Sequence, residues 1–323
     1  MQLGCRKGEL VSKDIHVVLG ASGATGQAVI AALQAKHLEV RAVTRSNKIP
    51  GVTTVFADLF DEQQTVDATK GATYVYLCAG LPYTTKIWQN DWPRLMQAVI
   101  NACAINNAEL IFFDNVYMYG PAPLPVPFDE NSPQNPATNK GLARKQIADA
   151  LLEAHRSGKI RAVIGRSADF YGPEAVNSPF YIKFLERIIK AKQPQMLSKS
   201  TIKRTYAYSM DNGRALVELA LDPSCYGQTW HLPVGEATTM DNVLAMINEV
   251  LGAAYKVSYL PRPLLTPLSW VSAPIKEMKE MLYQFDEPYV MSDKKFRAKF
   301  PNFKSTPYET GLQTMLESFS PST

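Results

Sequence analysis

The chain has 323 residues, of which 46% are hydrophobic and 20% charged, and a formal net charge of +4. That balance excludes a disordered chain, and no Lys/Arg-rich block or basic run interleaved with aromatics suggests nucleic acid. The four cysteines (Cys5, Cys78, Cys103, Cys225) and four histidines are scattered with no C-x-x-C pair, so neither a metal site nor a redox dithiol is expected.

Residues 1–14 carry no apolar stretch of signal-peptide length and read as a loose leader, and no apolar run is long enough to span a membrane. A cytoplasmic, reducing setting with no membrane partner follows. The first predicted strand is "IHVVLG", 15–20, and it runs into "ASGATGQAVI". Gly20, Gly23 and Gly26 stand at G-x-x-G-x-x-G spacing between a strand and a predicted helix at 24–36. Such a turn lets the backbone approach a pyrophosphate, with the helix N-terminus supplying free N–H groups and the positive end of its dipole. Gly20, Ser22, Gly23, Ala24, Thr25 and Gly26 are therefore candidate cofactor residues.

The second strand, 38–44, ends in "VTRSNK" with no Asp or Glu to hold a ribose 2′-hydroxyl. Arg45, with Lys48 close behind, would instead attract a 2′-phosphate, so NADP is expected over NAD. The competing reading makes Arg41, Arg45 and Lys48 a solvated loop face. A third strand at 53–57 leads into Asp58 and Leu59, placed at the adenine edge; Asp58 could equally cap a helix at 61–69. A fourth strand at 73–79 brings Ala79 and Gly80 to the cofactor.

A helix is predicted at 91–107, with Asp91 as N-cap and Pro93 in its first turn. The fifth strand, 109–115, stops at Asp114-Asn115, followed by Tyr117 and Tyr119. A Pro-rich loop, 121–136, reads as a lid or wall of a cleft. A helix at 139–156 carries apolar residues at 142, 147, 151 and 152, and a strand at 160–170 follows. This alternation predicts an α/β fold: a Rossmann-type, doubly wound parallel sheet with a smaller C-terminal α+β substrate lobe. Residues 1–172 would form mainly the dinucleotide-binding domain and 173–323 mainly the substrate lobe, interleaved with the sheet. Residues 277–289, rich in Met and aromatics, suggest core packing or a subunit contact, and 305–312 the cap and first turn of a last helix.

The glycine turn, Asp58, "CAG" at 78–80, "VYMYG" at 116–120, "GRSADFYGP" at 165–173 and "RTYAYSMDNGRAL" at 204–216 together resemble the extended short-chain dehydrogenase/reductase superfamily, in its NAD-dependent epimerase/dehydratase branch. The resemblance covers most of the chain. It implies a nicotinamide cofactor, hydride chemistry at a carbonyl or carbinol carbon, and a small-molecule substrate, with sugar nucleotides common in the branch. It also makes Arg204 the candidate for substrate phosphates, with Tyr171 and Tyr119 as further substrate candidates and Arg166, Asn177 and Ser178 weaker ones near the cleft mouth.

The branch relies on a Ser/Thr after the fifth strand and a Tyr-x-x-x-Lys pair on the next helix, where the lysine lowers the phenol's pKa. This chain has no Tyr-x-x-x-Lys in that helix. Asn115 stands at the hydroxyl position, Lys140 at the tyrosine and Arg144 at the lysine; a one-residue shift would instead use Gly141 and Lys145. Three readings stay open. Lys140 could donate the proton, its pKa pulled down by Arg144, with Asn115 binding the substrate oxygen. Tyr117 or Tyr119 could supply the phenol. Or the cofactor binds without chemistry. The first two make the protein an NADP-preferring oxidoreductase or epimerase/dehydratase acting on a small polar substrate, a sugar or sugar nucleotide among them. The third makes it a non-catalytic NAD(P)-binding regulator. The sequence allows a homodimer.

Overall fold

The computed structural model describes residues 14–319 except 177, 179, 180, 191, 197–200 and 260–271; Cys5, Asn177 and the N-terminal leader lie outside the described residues. The elements in chain order are β1 (Ile15–Leu19), α1 (Ala24–Ala35), β2 (Glu39–Thr44), β3 (Thr53–Phe56), α2 (Glu62–Ala68), β4 (Tyr74–Leu77), α3 (Thr85–Asn106), β5 (Glu109–Asp114), α4 (Asn139–Arg156) and β6 (Ala162–Arg166). The second half adds β7 (Phe170–Tyr171), α5 (Glu186–Ile189), β8 (Gln195–Met196), β9 (Ala207–Tyr208), α6 (Ser209–Leu221), β10 (Thr229–His231), α7 (Met240–Leu251), β11 (Ser258–Tyr259), α8 (Ala273–Lys279), α9 (Lys294–Lys299) and α10 (Tyr308–Phe319).

Seven strands form one sheet in the order β10-β6-β5-β4-β1-β2-β3, every pair parallel. Strand order reverses between β1 and β4, the switch point where open α/β sheets place their ligands. The strands are near-continuous apolar runs because helices cover both faces. On one face Trp92, Leu95, Met96 and Val99 of α3 and Ile147 and Leu151 of α4 pack over Val17, Val75, Leu110 and Phe112. On the other, Val29 and Leu33 of α1 and Leu216 and Leu219 of α6 pack over Val18, Ala42, Tyr76 and Ile111. A third core is built from Tyr171, Leu185, Tyr208, Val243, Ile247 and Leu312, all from the second half of the chain. Among the described residues no helix is long and apolar enough to cross a membrane.

Two elements differ from their predicted form for tertiary reasons. Helix α3 begins at Thr85, not near 91, so Asp91 and Pro93 lie inside it. The acceptor for its first N–H is the carboxylate of Glu277, 192 residues away, which takes the Thr85 N–H at 2.7 Å. The seventh strand, β10, is three residues long and comes from the C-terminal half; alone it carries too little pattern to be predicted, yet Trp230 pairs with Gly165 of β6. Helix α6 likewise packs beside α1, so part of the second half of the chain builds the nucleotide-binding sheet.

The α1–α6 contact depends on Gly213. A Cβ there would lie 2.3 Å from the Ala28 carbonyl carbon, on backbone that cannot swing aside. Gly213→Val is therefore expected to cost about 1–3 kcal/mol or more by overpacking, read as a lower midpoint in urea denaturation; an unchanged midpoint would mean the helices can separate at no cost.

Candidate active site

The turn after β1 is built by two glycines and left open by the third. Gly20 has φ +79°, and a Cβ on it would sit 2.5 Å from the Ala79 Cα at the end of β4. A Cβ on Gly26 would sit 2.4 Å from the Gly20 carbonyl oxygen. Gly23, the N-cap of α1, meets only the Gly20 oxygen at 3.6 Å, and no side chain caps the helix. Gly80 faces open space as well. The uncapped helix end, next to a surface that a side chain would fill, fits a pyrophosphate. Ser22 and Gly23 are exposed, while Thr25 is buried in the first turn of α1.

Beyond β2, Arg45 and Lys48 are exposed. Arg41 is not part of that group: its guanidinium donates to the Ala68 and Lys70 carbonyls at the end of α2, at 3.2 and 2.8 Å. Asp58 does not cap the following helix. Asp61 does, accepting from the Gln64 N–H at 3.0 Å, while Asp58 turns its carboxylate to the Phe60 N–H and Leu59 is buried.

At the end of β5 the charges pair among themselves. Asp114 is fully buried and accepts from Arg144 Nε at 2.8 Å, from Arg166 Nε at 3.2 Å, and from the Asn115 N–H at 2.8 Å. Arg144, at the lysine position of the missing motif, lies over the Trp92 ring at 4.4 Å and so stays in the core. Asn115 is half-buried, and its Oδ1 accepts from the Tyr117 N–H at 3.0 Å, forming a local turn. Tyr119 is also internal. Its hydroxyl meets His231 Nε2 at 2.6 Å and accepts from Arg166 at 3.0 Å, while burial, the leading cause, pushes the phenol up to about 12. The Pro-rich loop is anchored to the body, with Phe128 buried and Gln134 accepting from Arg166 at 3.2 Å.

Lys140 is the clearest departure from expectation. It is completely buried, and its ammonium donates to Thr85 Oγ1 (2.8 Å), the Glu277 carbonyl (2.9 Å), Glu277 Oε2 (2.6 Å) and Glu280 Oε1 (2.9 Å). An ammonium whose N–H groups all face protein oxygens has none to offer a substrate. Arg144 does not press on it either, being paired with Asp114. Burial disfavours the Glu277 carboxylate, yet Lys140 and Thr85 together outweigh it and hold the carboxyl below its usual range. The two carboxylates also cap two helices: Glu277 takes the Thr85 N–H of α3, and Glu280 takes the Asn139 N–H of α4 at 3.1 Å. The shifted register fails too. Lys145 pairs with Asp149 on the outer face of α4, and a Cβ on Gly141 would strike the Tyr117 carbonyl oxygen at 2.5 Å.

The substrate candidates of the second lobe are likewise internal. Arg204 is buried, donating to Asp169 Oδ2 at 2.7 Å and to the Gln284 carbonyl. Tyr171 stacks on Tyr308 at 5.7 Å. Residues 277–289 act in the core: Glu277 and Glu280 clamp Lys140, and Met281 and Tyr289 are buried.

The residue missed by sequence reasoning is Tyr83, in the loop between β4 and α3. It is 39% exposed, at the carboxyl edge of the sheet beside the switch point. Its ring stands over the Lys140 ammonium at 4.7 Å and edge-on to Trp88 and Tyr117. Burial, the leading cause, raises the Tyr83 phenol above its usual range. Tyr117 itself stacks on Trp88, with ring centroids 5.9 Å apart, and burial drives its phenol well above the usual range. The only signal in the sequence was a tyrosine three residues after Gly80, in "AGLPYTTK".

The chain belongs to the NAD dependent epimerase/dehydratase family, whose sequence model matches residues 16–229. That places it among enzymes. No curated protein matches the sequence. Among solved structures it is similar to the UDP-glucose 4-epimerase of Thermus thermophilus in complex with NAD, at 20% identity and TM-score 0.74, over 96% of this chain and 100% of that one. The WbmH enzyme of Bordetella bronchiseptica in complex with NAD+ matches at 18% identity and TM-score 0.74, over 95% and 98%. The UDP-glucuronic acid 4-epimerase of Bacillus cereus in complex with NAD matches at 15% identity and TM-score 0.75, over 94% and 96%. At these identities the likeness is one of fold.

Two outcomes follow from the buried charges. Lys140→Met leaves Glu277 and Glu280 facing each other without their cation and is expected to destabilise by roughly 3 kcal/mol, seen in urea denaturation; a stable variant would show that the knot holds nothing. The second concerns pH. Burial lowers His231 to about 3 and His16 to about 4. Both folded values lie below the unfolded 6.5, so the unfolded chain binds more protons between them. Their contribution is full above about 6.5 and is lost as pH falls towards 4. The thermal midpoint should therefore drop between pH 6.5 and 4.5, less steeply in His231→Gln than in the wild type.

Proposed function

We propose that the chain is a nicotinamide-dependent oxidoreductase or epimerase/dehydratase, working at a carbonyl or carbinol carbon of a small polar substrate, with Tyr83 as the phenol that moves the proton. The observation that carries this reading is the Tyr83–Tyr117–Lys140 arrangement at the exposed sheet edge. The family's phenol comes from the helix after β5; here the phenol comes from the loop after β4, and the helix supplies the cation.

When bound, the nicotinamide gives or accepts the hydride. The chain's own groups do the rest. Residues 20–26 hold the pyrophosphate on backbone N–H groups, and Ala79 and Gly80 line the path from there to Tyr83. The partly exposed Tyr83 hydroxyl, edge-on to Tyr117, would present its O–H to a substrate oxygen. In the reducing direction that proton passes to the substrate oxygen as its carbon gains the hydride; in the oxidising direction the same oxygen takes it back. Burial, with Asp169, Glu280 and Glu277 adding to it, raises the resting phenol above its usual range despite Tyr117, so it rests protonated. The Lys140 ammonium against the ring favours the electron-rich phenolate left behind.

Arg45 and Lys48, exposed beyond a strand with no terminal carboxylate, support NADP as the cofactor, although the similar structures hold NAD. Sequestration of Lys140 and Arg144 would equally suit a non-catalytic NAD(P)-binding regulator, and the experiment separates the two. NADP+ should raise the thermal midpoint by several degrees, NAD+ by less, with Arg45→Ala removing the difference. Tyr83→Phe should leave the NADP+ shift intact while lowering turnover of any accepted substrate by about 10²–10⁴-fold. No shift with either dinucleotide sinks the cofactor reading, and unimpaired turnover in Tyr83→Phe removes the phenol from the mechanism.

A further inference from the structure

Glu277 joins three segments of the chain at a single carboxylate oxygen. Its Oε2 accepts from the Thr85 N–H at 2.7 Å, from the Thr85 hydroxyl at 2.6 Å and from the Lys140 ammonium at 2.6 Å. Thr85 opens α3 two residues after Tyr83, Lys140 lies in the first turn of α4, and Glu277 belongs to α8. Glu280, at the C-cap of α8, brings a second carboxylate to Lys140 at 2.9 Å and takes the Asn139 N–H at 3.1 Å. The family model matches residues 16–229, so both carboxylates stand outside the matched part of the chain.

Two effects meet at Tyr83. The first is place. On one side of Tyr83 the Pro82 carbonyl accepts from the Trp88 indole N–H at 3.0 Å; on the other, Thr85 is held by its two bonds to Glu277. The loop that carries the phenol is thus pinned at both ends. The second is charge. The Lys140 ammonium stands 4.7 Å from the centre of the Tyr83 ring and alone would favour the phenolate. Two carboxylates on one ammonium offset that pull. Burial is the leading cause that raises the Tyr83 phenol, and Asp169, Glu280 and Glu277 all act in the same direction. Tyr117 stands edge-on to the ring and is uncharged. Lys86 on α3 and Lys276 and Lys279 on α8 are exposed, where water and salt screen them, whereas Lys140 lies inside the protein.

We propose that Glu277 is a positioning residue of this site: it pins the Tyr83 loop through Thr85 and, with Glu280, offsets the Lys140 ammonium against the Tyr83 ring, so that helix α8 governs both where the phenol stands and how readily it releases its proton. This rests on the proposed reading of Tyr83 as the phenol that moves the proton. Because the three bonds fall on one oxygen, glutamine at 277 can keep them with its carbonyl oxygen while removing the charge, and alanine removes both.

The test replaces Tyr83 in the full chain by difluorotyrosine, whose phenol is more acidic than that of tyrosine, and follows its ionisation by fluorine NMR as pH rises. Glu277→Gln should lower the midpoint by about half a pH unit or more, with the resonance of the protonated form unmoved. Glu277→Ala should also displace and broaden that resonance, because the loop loses its anchor. Glu280→Gln should lower the midpoint as well, which keeps the test decisive if Glu277→Ala fails to fold; circular dichroism checks the fold of each variant. A midpoint that stays or rises in both glutamine variants, or a folded Glu277→Ala whose protonated resonance matches the wild type, overturns the proposal. The titration needs neither cofactor nor substrate, so its failure is separate from that of the nicotinamide reading. With an accepted substrate, the pH limb of turnover that Tyr83 sets should move with the titration in Glu277→Gln; a limb that stays in place while the titration moves removes Glu277 from the reaction.

Discussion

One buried ammonium holds the two halves of this protein together. Lys140, at the start of α4, draws Glu277 and Glu280 from near the C-terminus down onto the nucleotide-binding half. Those carboxylates in turn cap the N-termini of α3 and α4, where the helix dipoles favour negative charge. Each member is tolerated only because the others are present: a buried lysine needs its anions, and two adjacent carboxylates need their cation. The position of Tyr83, between β4 and α3, follows from this knot, because α3 begins where Glu277 lets it begin.

The same constraint separates this site from the usual chemistry of its family. A lysine consumed in structure cannot also transfer protons. The arginine four residues on is consumed as well, by Asp114. What remains at the edge is a pair of phenols with a cation beneath one of them. In the proposed reading, the hydroxyl proton and nearby positive charge of the familiar device are retained with their positions in the chain exchanged.

Most of the sheet was readable in advance. Strands β1, β4, β5 and β6 are mainly apolar runs of four to six residues, and a buried parallel strand needs that composition to exist at all. Helix α4 starts where predicted because Thr138 caps it locally, accepting from the Gly141 N–H. The start of α3 was not readable, since its cap is 192 residues distant. Strand β10 was not readable because three residues carry no period. At the site, the glycine turn was legible since Gly20 and Gly26 answer local steric demands. Asn115, Lys140, Arg144 and Arg204 were located correctly along the chain, but their roles were not, because a polar side chain's task depends on which partner reaches it first.

The sequence by itself determined the α/β class, the parallel sheet and the glycine turn after β1, all of which rest on local composition and backbone sterics. It also determined that the Tyr-x-x-x-Lys pair is missing. Only the tertiary structure decided what stands in its place. Charged groups far apart in the chain satisfied one another on burial, and Tyr83 stands partly exposed beside them at the edge of the sheet.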